Sequence, residues 1–141
     1  MSVPRAFDQA TRARADDRCE YCRAPQLALR MRFWIDHIIA TQHRGSTTMG
    51  NLALSCPFCN RHKGPNLGGI DPVSRFYAPL FHPRTDHWDE HFRFSGPRIV
   101  GISATGRATV QVLAMNHPTQ LIIRRALFRE GLLPSPPTEG K

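Results

Sequence analysis

Three observations predict an α+β fold for this 141-residue chain. Helix-forming patterns stand near both ends, two short strand-like runs lie between residues 29 and 55, and two Cys-x2-Cys pairs bracket those runs. Residues 4–17 are rich in Ala and Arg, with Pro4 suited to a first turn, and read as a mostly solvated helix that "CEYC" ends. In "LRMRFWI", residues 29–35, Met31, Phe33 and Ile35 alternate with Arg30, Arg32 and Trp34, the pattern of a half-buried strand. "DHIIATQHRGSTTMG" starts apolar and becomes a polar loop containing Gly45 and Gly50, and "NLALS" returns as a second strand, making an irregular hairpin. Residues 56–63 carry Pro57 and Asn60 and should form a short helix that "GPN" stops.

Residues 64–98 are rich in Gly and Pro and hold "SRFYAPLFHP" and "DHWDEHFRF", which predicts an ordered, loop-rich surround that buries its aromatics. "RIVGIS" reads as a strand, residues 105–115 as a helix capped by Ser103 or Thr105, and residues 118–130 as a last helix stopped by Gly131. On that last helix Arg124, Arg125 and Arg129 read as a solvated face. The expected organisation is one domain over 1–141, with a core at 15–65, an elaboration packed on it at 66–131 and a flexible tail at 132–141.

The formal charge is +8 and the pI about 10.4, so an anionic partner is expected, with nucleic acid first among the candidates. Only Lys63 and Lys141 are lysines; nearly all the positive charge is arginine, whose planar fork binds phosphate oxygens in pairs. The N-terminal stretch lacks the apolar run of a secretory signal, and no stretch approaches a membrane span, so a cytoplasmic location is expected. There Cys19, Cys22, Cys56 and Cys59 would stay reduced. Two such knuckles are the pattern that closes a tetrahedral zinc site with four thiolates, leaving no position open for substrate. Structural Zn²⁺ is therefore the first expected cofactor, stapling the end of the first helix to the start of the short one.

Polar residues gather around that staple. Asp36-His37 ends the first strand, Asn51 opens the second, and Asn60, Arg61, His62 and Lys63 follow the last cysteine directly. The order "DHIIA", "NLALSC", "CNRHKG" resembles the HNH nuclease family, also called the His-Me finger or ββα-metal fold, in which a hairpin and a helix clamp one catalytic metal. The resemblance spans residues 19–64. It implies a metal-dependent endonuclease that hydrolyses DNA phosphodiester bonds to 5′-phosphate and 3′-hydroxyl ends. By the same resemblance His37 is the general base, Asp36 a metal ligand, and Asn51 the residue that bridges the hairpin loop and fixes the His.

At the third signature position this chain has Asn60 where the namesake pattern has His. Asp36 with Asn60 makes an all-oxygen pair consistent with Mg²⁺ or Mn²⁺. His62 is the alternative ligand; residues two apart on a helix point about 200° from each other, so Asn60 and His62 do not both face one metal. Asn60 and Lys63 share a helix face, which suggests Lys63 as a phosphate contact beside Arg61, with Arg44 and His43 reaching substrate from the hairpin loop. His82, His87, His91 and His117 lack ligand spacing and read as packing residues. A non-catalytic, zinc-stapled nucleic-acid-binding module is the alternative that the cysteines and charge allow, although such a module has no use for the Asp36 carboxylate near a phosphate backbone.

Overall fold

A computed structural model describes residues 3–134 of the protein. Helix α1, Arg5–Arg14, is started by Pro4 and braced by the Arg12–Asp8 ion pair one turn apart, at 2.7 Å. Arg14 ties it to the centre of the chain by donating to the Met49 and Leu52 carbonyls at 3.0 and 2.6 Å. The first knuckle follows. Its Glu20 N–H donates to the Leu54 carbonyl and its carboxylate accepts from Leu54 N–H, each at 2.8 Å, so the knuckle lies against the second central strand.

The alternation that predicted a strand at 29–35 is not used as such. A single helical turn, α2, covers Gln26–Leu29, Arg30 adopts a left-handed conformation at φ 52°, and the strand β1 is Trp34–His37. The Gln26 side chain explains the change: its oxygen accepts from Phe33 N–H at 2.7 Å, occupying a donor that a longer strand would have needed for its ladder. Phe33 is buried, whereas Met31, expected beside it, is exposed.

Strand β2, Leu52–Ser55, pairs antiparallel with β1, placing Asp36 opposite Ala53 and His37 opposite Leu52. Every residue of β2 is buried, while in β1 Asp36 alone is buried. Helix α3, Pro57–Lys63, starts directly after Cys56, whose sulfur accepts from Cys59 N–H at 3.4 Å, and stops at Gly64, where φ is 50°. Hairpin then helix is the ββα order expected from sequence.

The following segment is more regular than its Gly and Pro content suggests. Strands β3, Gly68–Ile70, and β4, Tyr77–Pro79, pair, as do β5, Phe92–Ser95, and β6, Arg98–Gly101, with the single turn α4, Trp88–His91, leading into β5. Helix α5, Ala104–Val112, is capped by Ser103, whose hydroxyl accepts from Gly106 N–H at 2.9 Å, and packs on β6, β3 and β4. Asp71 in the turn after β3 takes a two-pronged grip from Arg107 of α5 at 2.8 and 2.9 Å. Helix α6 is Pro118–Arg129.

One apolar cluster joins both parts: Tyr21, Phe33, Leu54 and the four cysteines with Phe81, Trp88, Phe92, Leu113, Met115 and Leu127. Trp88 donates its indole N–H to the Tyr21 carbonyl at 2.8 Å and lies 5.1 Å from the Phe92 ring; such ring pairs contribute about 0.5–1.5 kcal/mol beyond burial. Arg124 departs from the solvated face predicted for α6. It is 2 % exposed and donates inward to Pro97 and Met115 carbonyls and to Asn116, so its neighbours Arg125 and Arg129 alone face outward. Of the predicted tail, Leu133 packs in the core and residues 135–141 lie outside those described.

Candidate active site

The four cysteines meet. Their sulfurs all lie within 4.8 Å of one another, each residue is at most 2 % exposed, and Cys22 Sγ is 3.9 Å from Cys56 Sγ. A tetrahedron of thiolates about 2.3 Å from a zinc ion has edges of about 3.8 Å, so this cage is of the size zinc takes. Hydrogen bonds among the four sulfurs pull the Cys22 thiol well below its ordinary value and push the Cys56 and Cys59 thiols above theirs, as expected where neighbouring thiols share one thiolate in a buried cluster. The cluster is thus a zinc-type site of four thiol ligands.

The first knuckle also feeds the second site. Tyr21, between its two cysteines, points its hydroxyl at Asp36 Oδ2, 2.8 Å away. Burial, and then the Asp36 charge, push the Tyr21 hydroxyl well above its usual value, so it remains a donor. From the other side Lys63 Nζ approaches the same carboxylate at 3.2 Å. Burial raises Asp36 above the ordinary carboxylate range, against the opposing pull of Lys63 and Tyr21.

Lys63 therefore does not stand where a phosphate contact would. Its side chain is 1 % exposed, and besides Asp36 its ammonium reaches the His37 and Ile38 carbonyls at 3.3 and 2.9 Å. Helix geometry did put it on the Asn60 side of α3, but that side faces the end of β1, where its polar partners among the described residues are the carboxylate and two carbonyls. His62, the alternative ligand, is turned away: its ring stacks on Phe58 at 4.1 Å and its Nδ1 pairs with the Phe58 carbonyl at 2.9 Å.

Asp36, His37 and Asn60 instead line one open cleft of about 220 Å³, together with Ile35, Ala40, Thr41, Gly64 and Pro65. The Asn60 amide has no hydrogen-bond partner among the described residues. His37 Nε2 is 2.9 Å from Thr47 Oγ1. Asn51, 8 % exposed, spans the loop: its amide donates to the Ile39 and Ser46 carbonyls at 3.0 and 2.8 Å, and its oxygen accepts from Ile39 N–H at 2.9 Å. Gly45 permits this closure, since a Cβ there would lie 1.6 Å from the Ile39 carbonyl oxygen. Arg61, Arg44 and His43 are exposed, Arg61 lying over the Phe58 ring.

Two residues of this site were not anticipated. Tyr21 is embedded in "CEYC", where a tyrosine between ligands could have been asked what its hydroxyl meets; Thr47, within "GSTTMG", carries no signal apart from being a hydroxyl in the loop that closes on His37. Among the described residues no helix is long and apolar enough to cross a membrane.

In comparison with known proteins, residues 19–66 fit the family model described as HNH endonuclease. No curated protein and no solved structure matches the chain. The matched span begins at the first knuckle cysteine and ends just past α3, so it holds the whole hairpin, both knuckles and the cleft side chains. Residues 19–66 are thus similar to the HNH endonuclease family, whose model they match, and they hold the hairpin, the helix and the four-cysteine cluster in sequence.

Proposed function

We propose that the protein is a metal-dependent endonuclease that hydrolyses DNA phosphodiester bonds in the cleft between β1 and α3. The observation that carries this reading is the convergence of Asp36, His37 and Asn60 on that one cleft, drawn from a strand and a helix on either side of the second knuckle. Hydrolysis needs a base for the attacking water, positive charge at the scissile phosphate and a grip on the backbone.

His37 takes the proton. Its Nε2 is engaged by Thr47, and Nδ1 has no partner among the described residues, leaving one nitrogen for the water. Asp36 and the Asn60 amide oxygen are the donors for a divalent cation. Among the described residues Asp36 Oδ1 has only a 3.5 Å contact with Lys63 and so keeps a lone pair, and an all-oxygen pair suits Mg²⁺ or Mn²⁺. Such a cation, when bound, neutralises charge on the phosphate and the leaving oxygen. Lys63 and Tyr21 hold the carboxylate from behind, and exposed Arg61, Arg44 and His43 are available to the DNA backbone.

The test is nicking of supercoiled plasmid by wild type and His37→Ala side by side, with Mg²⁺ or Mn²⁺ added and then dialysed away, on samples of measured zinc content. Metal-dependent cutting that is reduced by about a hundredfold or more in the variant is expected. If neither protein cuts, yet both retain zinc and bind DNA, the chain is a binding module and this reading fails.

A further inference from the structure

Among the described residues, Thr47 is the one side chain within hydrogen-bond distance of the His37 ring, and the loop that carries it is clamped onto β1. Asn51 donates to the carbonyl of Ser46, immediately before Thr47, and makes two further bonds to Ile39, two residues beyond His37. The same amide thus fixes the backbone on both sides of the Thr47–His37 contact. Gly45 allows the loop to come this close, because any side chain there would meet the Ile39 carbonyl. A loop that merely crossed the surface would need neither device.

An imidazole has two interchangeable neutral forms, and the partner of one nitrogen decides which nitrogen bears the proton. If Nε2 accepted from the threonine hydroxyl, the proton would stay on Nδ1, and no lone pair would remain for water. If Nε2–H donates to Oγ1, Nδ1 is left basic.

We propose that Thr47 is a positioning residue: its hydroxyl accepts from Nε2–H of His37, holding the ring in the tautomer and orientation in which Nδ1 can take a proton from water. The proposal rests on the nuclease reading for its purpose, while the tautomer itself is a property of the folded protein with no substrate present. Valine matches threonine in shape and lacks the oxygen, so Thr47→Val removes the acceptor, while Thr47→Ser keeps it.

The experiment is ¹⁵N-detected histidine NMR on zinc-loaded wild type, Thr47→Val and Thr47→Ser at pH 8, with His37→Ala assigning the signals. Plasmid nicking is measured on the same samples. Wild type and Thr47→Ser should show the Nε2–H form of His37, and Thr47→Val a mixture of both forms. In nicking, Thr47→Val should lose on the order of a hundredfold in kcat with KM little changed, and Thr47→Ser should restore most of it. An unaltered His37 spectrum in Thr47→Val, or Thr47→Ser as impaired as Thr47→Val, overturns the proposal. Should wild type not cut DNA at all, the spectra still decide whether Thr47 sets the tautomer, and only the nuclease reading is lost.

Discussion

Replacing Lys63 by methionine separates a buried ion pair from a surface phosphate contact. The ammonium is 1 % exposed and meets Asp36, also buried, at 3.2 Å, with its best-formed hydrogen bond, 2.9 Å, going to the Ile38 carbonyl. Taking one partner from a buried pair costs about 3–5 kcal/mol, because the remaining charge stays desolvated. The bond to Ile38 falls within that figure, since charge-assisted hydrogen bonds contribute about 1.5–3 kcal/mol. Asp36 can escape part of the penalty by taking a proton. Its folded value is already raised by burial, and without Lys63 it rises further, so the folded state binds a proton that the unfolded state releases above about pH 4. Stability of Lys63→Met therefore falls as pH rises through that window, and the variant is better tolerated near pH 5 than at 7.5. Urea unfolding of zinc-loaded wild type, Lys63→Met, Asp36→Asn and the double variant, followed by the fluorescence of buried Trp88, measures the pair as a coupling energy. A loss below about 1 kcal/mol at pH 7.5, or additive single losses, would refute the buried pair. A lysine on the DNA-facing surface would instead leave stability alone and lower the salt dependence of DNA binding by about one ion.

Two other outcomes follow from the staple and from the turn after β3. Chelation of zinc, or Cys56→Ser, should abolish the near-ultraviolet circular dichroism of Trp88 and the cooperative melt, because structural zinc supplies about 10–16 kcal/mol against a typical domain stability of about 5–15; a metal-free protein that melts sharply would contradict this. Arg107 holds the Asp71 carboxyl well below the ordinary carboxylate range, so its stabilisation is complete above about pH 4 and is lost as pH falls from there towards the lowered folded value. Asp71→Asn should accordingly melt below wild type at neutral pH, with the gap in Tm closing in acid; a gap that stays constant in acid would contradict the depressed carboxyl.

Local signals in the sequence were the reliable ones. Cysteine spacing foretold a cluster because each knuckle is a turn that needs no distant partner, and Pro57 and Gly64 bounded α3 for the same reason. Asp36, His37 and Asn60 could be named from their order along the chain and do share a cleft. What could not be read depends on groups far apart in sequence. The strand expected at 29–35 is cut short by the Gln26 side chain, Lys63 is buried because Asp36 and two carbonyls lie where α3 lands, and Arg124 turns inward to carbonyls on other segments. Periodicity reports which faces of an element differ; it does not report what waits opposite a polar one.

Helix α3 is only seven residues long, yet three structures index on it. Cys59 points into the thiol cage, Asn60 into the cleft and Lys63 beneath the Asp36 carboxylate. Each residue along a helix turns by about 100°, so these three directions are locked in fixed phase to one another. The segment behaves like a key with three bits. A residue gained or lost between Cys59 and Lys63 would put at least one bit against the wrong ward. Variation compatible with this architecture is therefore confined to the faces of α3 that carry Arg61 and His62, which is also where the helix meets solvent and where contact with another molecule can change without disturbing the thiol cage or the cleft.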